Sequence, residues 1–172
     1  MRELLLRLRL FLQAQYPILN LLSHEESRVL RALATLANSE ELGLRCWTVS
    51  RGLYELDTAP IIETESTPSS TQAVRQLREA LHQMLMYEDP CILALCDIFP
   101  YLDDPQVTRL LRDLSQRVCH FQQTIVLLGP QLSIPTELDK QLVVFDVPLP
   151  NEEDGARILS FVAQSHQLSL PA

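Results

Sequence analysis

Carboxylates and hydroxyls gather in this chain where apolar runs end. Ser23-His24-Glu25-Glu26-Ser27 follows one such run, Asp97 closes another, and Asp103-Asp104 lies six residues further on. Arg51 stands at the end of a third run. Such residues serve three chemistries. A strand-end aspartate holds magnesium beside a nucleotide, a pocket of acids accepts a phosphoryl group, and Ser, Asp or Glu at a helix start satisfies that helix's own amides.

The first chemistry needs Gly-x-x-x-x-Gly-Lys-Ser/Thr after a strand. The glycines let backbone N–H groups approach the phosphates, and the lysine reaches the outer oxygens. Here Gly43, Gly52, Gly129 and Gly155 are far apart, and the single lysine, Lys140, stands just before the last strand rather than after the first. Ser23 and Glu26 instead have the spacing of a capping box. The expectation is a plain self-capped helix start, with Glu25 and Glu26 where an anion would otherwise bind. Asp97 is followed by Ile98, so no carboxylate adjoins it to activate water. No catalytic residue is expected. Ser23, His24, Glu25, Glu26 and Ser27 mark a lost phosphate site, with Arg51, Asp97, Asp103 and Asp104 as subsidiary candidates. An unconventional magnesium-dependent nucleotide site using Asp97 and Asp103 or Asp104 stays open. So does a receiver-like acidic pocket of Glu25, Glu26 and Asp97, although Lys140 precedes the strand at whose end a receiver places its lysine. No metal is expected: His24-Glu25-Glu26 starts like a zinc-protease motif, but Arg28 stands where its second histidine belongs. Cys46, Cys91, Cys96 and Cys119 form no C-x-x-C pair and read as buried free thiols.

The elements that position these residues follow from periodicity. An amphipathic helix is expected over 2–15, a strand over 18–22, a helix from Ser23 to about Glu41 closed by Gly43, and a strand over 45–50. Arg51-Gly52-Leu53 turns away, and 57–70, rich in Thr, Ser, Pro and acids, is a loop excursion. A helix over 71–87 and a buried strand over 91–95 follow. Asp104-Pro105 reads as an N-cap with proline at the first helical position. Further strands are expected over 124–128 and 142–147, a helical turn over 138–141, and a last helix over 153–164. Strands alternating with helices define an α/β fold: a three-layer, doubly wound domain with a mostly parallel, five-stranded sheet. One such domain over 1–172 is expected, with its crevice at the carboxyl ends of the strands.

The net charge is −8 and the thirteen arginines are scattered, so nucleic acid is an unsuitable partner. Arg7 and Arg9 interrupt the N-terminal apolar run, which excludes a signal peptide, and no run reaches the length of a membrane span.

Several phrases resemble AAA-type ATPases. Ile92-Leu-Ala-Leu-Cys-Asp97 is similar to a Walker B strand, Thr124-Ile-Val-Leu-Leu-Gly129 to a sensor-1 strand, and Phe145-Asp146-Val-Pro-Leu-Pro150 to the approach to the AAA lid. Tyr16-Pro17, His24 to Arg28, Trp47 to Leu53, Phe99 to Pro105 and Leu132 to Leu138 extend the match to nearly the whole chain. Together they resemble the divergent AAA ATPase encoded as a hypothetical reading frame in algal plastid genomes and cyanobacteria. The resemblance implies a degenerate AAA/P-loop core lacking its lid subdomain, a fragment or stand-alone relative that precedes a separate catalytic AAA module. It implies no cofactor for this domain, with ATP and Mg held by the full-length protein. Its partners would be that module or neighbouring subunits, those of a homo-oligomer included, in a cyanobacterial cytoplasm or plastid stroma.

Overall fold

Two runs that are buried at every position, Cys91–Cys96 and Thr124–Gly129, lie side by side at the middle of a single sheet. A strand with no polar face must be covered on both sides, which requires helices above and below a parallel sheet. The computed structural model describes residues 2–56, 69–131 and 133–149. In chain order the elements are α1 (Arg2–Gln13), β1 (Ile18–Leu22), α2 (Glu26–Ser39), β2 (Gly43–Thr48), β3 (Gly52–Glu55), α3 (Ser70–Met86), β4 (Cys91–Cys96), α4 (Pro105–Val118), β5 (Thr124–Gly129) and β6 (Leu142–Asp146). Short 3₁₀ turns occupy Phe99–Tyr101 and Asp139–Gln141.

The strand order is β3-β2-β4-β5-β1-β6. All neighbours are parallel except β2 and β3. The sheet thus has six strands, not the five expected. Gly52, at φ 69°, reverses the chain, and Leu53 and Tyr54 return along Trp47 and Cys46. A four-residue edge strand opening on glycine carries too little periodicity to be read from sequence.

Helices α1 and α2 cover one face. Leu8, Leu19, Leu21, Val29, Leu33, Cys46, Ile92 and Val126 form its core, and Phe11 stands edge-on to Phe145 at 4.8 Å. Helices α3 and α4 cover the other face, over Ile18, Trp47, Leu77, Leu81, Leu95, Leu111, Leu114 and Leu127. The alternation of the two sets along each strand is the period-2 consequence of the pleat.

Boundaries shift by small amounts. Helix α1 stops at Gln13 rather than Gln15, because Gln15 adopts φ 55° before Pro17. Gly43 opens β2 rather than closing the preceding helix, its N–H donating to the Pro90 carbonyl at 3.0 Å. Ser69 and Ser70, placed in the loop excursion, start α3: Ser69 Oγ accepts from the Gln72 N–H, and the Gln72 side chain accepts from the Ser69 N–H. The remainder of that excursion and the helix expected over 153–164 lie outside the described residues.

Candidate functional site

Connections leave β1 and β5 toward opposite faces of the sheet, so the crevice of this fold opens at their carboxyl ends. Leu22 ends β1 and Glu26 begins α2, leaving Ser23, His24 and Glu25 as the whole connection. A phosphate loop of the Gly-x-x-x-x-Gly-Lys type needs about twice that length. The Ser23 N–H donates to the Gly129 carbonyl at 3.1 Å, which carries the β1–β5 ladder one residue past the end of β1.

The expected capping box is absent. Glu25 holds the N-cap position with no side-chain cap bond, and Ser23 Oγ accepts from the Glu25 N–H at 3.0 Å. With a helix starting at Glu26, Ser23 sits two residues too early to reach the first-turn amides. Glu26 therefore has no capping duty and its carboxylate accepts from the Cys96 thiol at the carboxyl end of β4. Glu25 pairs with Arg28 at 2.5 Å, and Arg28 also donates to the Pro148 carbonyl at 2.7 Å. His24 and Ser27 are exposed and join none of this.

Glu26 comes together with Cys96 from β4, Asp97 just past its end, Cys46 from β2, and Tyr54 from β3. Burial raises the Glu26 pKa above the ordinary 4.5; the Asp97 charge adds to the shift and a hydrogen bond from the Cys96 thiol opposes it. Burial likewise pushes the Cys46 thiol up to about 12, reinforced by the Glu26 charge and opposed by Arg51. Tyr54 is pushed up to about 12, first by burial and then by the neighbouring thiols, against Arg51. The Cys96 thiol is raised for the same reasons, burial first and Glu26 next. These thiols stay protonated, so none is a nucleophile. Arg51 lies over the Tyr54 ring at 3.8 Å, a cation–π contact that holds it at the lip of the cluster.

Asp97 is exposed and sits at φ 52°, its N–H donating to the Leu128 carbonyl at 2.9 Å. Ile98 behind it is fully buried. Gly129 is required where it stands: a Cβ there would lie 2.9 Å from Asp97 Oδ1 and 2.7 Å from Phe99 Cε2. Asp103 is exposed beside the start of α4. Asp104 caps that helix, accepting from the Gln106 and Val107 N–H groups at 2.9 and 3.1 Å, as expected. Lys140 is exposed in the 3₁₀ turn before β6, at the opposite end of the sheet.

Of the residues anticipated, then, Glu26, Asp97 and Arg51 converge, while His24, Ser27, Asp103 and Asp104 do not join them. Cys46, Tyr54 and Cys96 were missed as members of the cluster. Cys46 and Cys96 sit in apolar strands, and Tyr54 belongs to the strand the sequence does not announce. Asn20 was missed too. It is fully buried within β1, and neither amide atom has a protein partner among the described residues. Among those residues no group of three His, Cys, Asp or Glu side chains is placed to hold a metal. No helix among them is long and apolar enough to cross a membrane.

The strand order and the position of the crevice define an α/β domain of the AAA ATPase type. A chain of the E. coli MS115-1 HORMA:CdnC:Trip13 complex has this fold, with a TM-score of 0.53 over 90% of the present chain and 52% of that one, at 10% identity. Residues 4–147 match the profile of the SpoVK-like AAA ATPase N-terminal domain, and the chain belongs to that family. It is 28% identical over 167 residues to the uncharacterized AAA domain-containing protein ycf46 of Guillardia theta, covering 95% of this chain and 31% of that protein. The ycf46 protein of Trieres chinensis is 26% identical over 163 residues, covering 94% of this chain and 31% of its own length. The chain thus spans less than a third of the length of either relative.

Proposed function

We propose that this domain is a non-catalytic member of its family, one that acts by contact rather than by hydrolysing nucleotide. The observation that carries the reading is the three-residue connection between β1 and α2, which ends in Glu25 and leads straight into Glu26 at the start of α2. It is too short to wrap a polyphosphate, contributes no glycine or lysine, and presents carboxylates where phosphate oxygens would need donors. Ile98, buried behind Asp97, agrees with it, as does the distance of Lys140 from the crevice.

In this reading ATP and magnesium belong to a separate AAA module of the longer relatives, and the domain docks on that module or on neighbouring subunits. The compartment would be a cyanobacterial cytoplasm or a plastid stroma. Isothermal titration of the chain with ATP and magnesium tests the proposal. No heat of binding is expected up to millimolar nucleotide. Saturable micromolar binding that disappears in Asp97→Asn overturns it in favour of a magnesium-dependent nucleotide site.

A further inference from the structure

On the α3/α4 face a cleft of about 310 Å³ opens between α4 and the connection from β5 to β6. Pro105, Thr108, Arg109 and Arg112 form one wall. Their spacing of i, i+3, i+4 and i+7 is a single stripe of a helix. Leu102, Asp103, Pro135 and Glu137 complete the lining.

Arg112 in this wall differs from the ion-paired arginines of the chain, Arg109 among them. Arg9, Arg28, Arg45, Arg75 and Arg117 are each paired with a carboxylate. Arg112 is half-buried, its guanidinium makes no hydrogen bond or ion pair with any described residue, and its Nε is enclosed without a partner. An enclosed guanidinium N–H without an acceptor is unfavourable unless something supplies one. Arg109 donates from Nε to Asp113 Oδ2 at 3.1 Å, with Nη2 2.9 Å from Oδ1, which leaves Nη1 uncommitted. The Thr108 hydroxyl donates to the Leu102 carbonyl at 2.7 Å, so its oxygen is free to accept.

We propose that this cleft binds an acidic peptide segment, with Arg112 and Arg109 gripping one of its carboxylates. The opposite rim decides between anions. Asp103 and Glu137 line the same cleft without an ion pair to Arg112, and would repel a phosphate dianion more strongly than a single carboxylate. The same two carboxylates accept hydrogen bonds from the backbone N–H groups that flank an acidic side chain in a peptide. Leu102, Pro105 and Pro135 supply the apolar floor for its stem. The proposal deepens the contact-domain reading, on which it rests, by naming the surface and the chemistry of the partner.

The test is an NMR titration of the whole chain with the peptide Ac-Gly-Glu-Gly-NH₂, following the arginine Nε–Hε signals, which Arg112→Lys and Arg109→Lys assign. The Arg112 signal is expected to move saturably with this peptide and to stay still with its Gln counterpart. Arg112→Gln should weaken binding about tenfold or more while keeping the native circular dichroism spectrum, and Arg112→Lys should restore part of it. An unmoved Arg112 signal, or equal movement with the Gln peptide, overturns the proposal. Tighter binding of inorganic phosphate, or binding of free glutarate as tight as the peptide, overturns the peptide assignment. Adding ATP and magnesium to the same sample separates the two readings. Saturable shifts at Glu26 and Asp97 would defeat the non-catalytic reading whatever the cleft does, and a silent cleft without them defeats this proposal alone.

Discussion

Helices α2 and α4 both begin near the carboxyl ends of central strands, and both starts carry cap-forming residues. They are built in opposite ways. At α4, Asp104 binds two first-turn amides and Pro105 needs no partner for a missing N–H. At α2, the Ser23 hydroxyl is spent on the Glu25 amide, and Glu26 faces inward over Cys96 toward Asp97. One start satisfies itself and is finished. The other leaves a carboxyl half-buried among thiols and a second acid, an arrangement that local helix chemistry does not require. Residues that break local rules in this way mark where function or its loss has shaped a fold.

Substitutions turn that contrast into measurements. The largest effect is expected at Gly129, the joint that both strand ends share. Gly129→Ala should cost about 1–3 kcal/mol in urea unfolding, since the new methyl collides with Phe99 and Asp97. Gly43→Ala is the control, because its Cβ would meet Cys91 Cβ only at 3.4 Å, an ordinary contact. An equal loss at both glycines would refute the packing account. Next, Asp104→Ala should cost about 1 kcal/mol through the lost cap.

A smaller change, and one of opposite sign, is expected at Glu26. Its folded pKa is raised above 4.5, so its protonated form is favoured by folding. The stability this group contributes is therefore full below its unfolded pKa and is lost as pH rises through the folded one. Glu26→Gln should melt at a higher temperature than the parent at neutral pH, and the two should converge on acidification below 4.5. A constant difference across that range would mean that Glu26 does not titrate as its surroundings require. The smallest effect belongs to Ser23→Ala, expected within about 0.5 kcal/mol because no first-turn amide depends on it. A loss equal to that of Asp104→Ala would restore the capping box.

Most of the fold was legible because most of it is set by short-range pattern. The buried runs 91–96 and 124–129, the periodic helices and the Asp104-Pro105 start announce themselves within a few residues. Two capping signals show the limit of that reading. Ser23-x-x-Glu26 and Ser69-x-x-Gln72 have the same spacing, yet only the second forms a box, and it lies in a stretch whose composition reads as loop. Both sequences permit the cap. Where the backbone turns helical decides it, and at α2 that point is displaced to Glu26, next to a strand end tied to Gly129.

By itself, then, the sequence determined the alternation of strands and helices, the absence of a glycine-lysine phosphate loop, and the acids that follow β1 and β4, since these depend on residue type and local spacing. Only the tertiary structure decided that β3 folds back to make a sixth strand and that Glu26, Cys46, Tyr54 and Cys96 meet around Arg51 and Asp97. It alone left the Arg112 guanidinium unpaired in a cleft. Those outcomes depend on which strands become neighbours and which side chains their pairing brings together, and a pairing between distant segments leaves no periodic mark in either one.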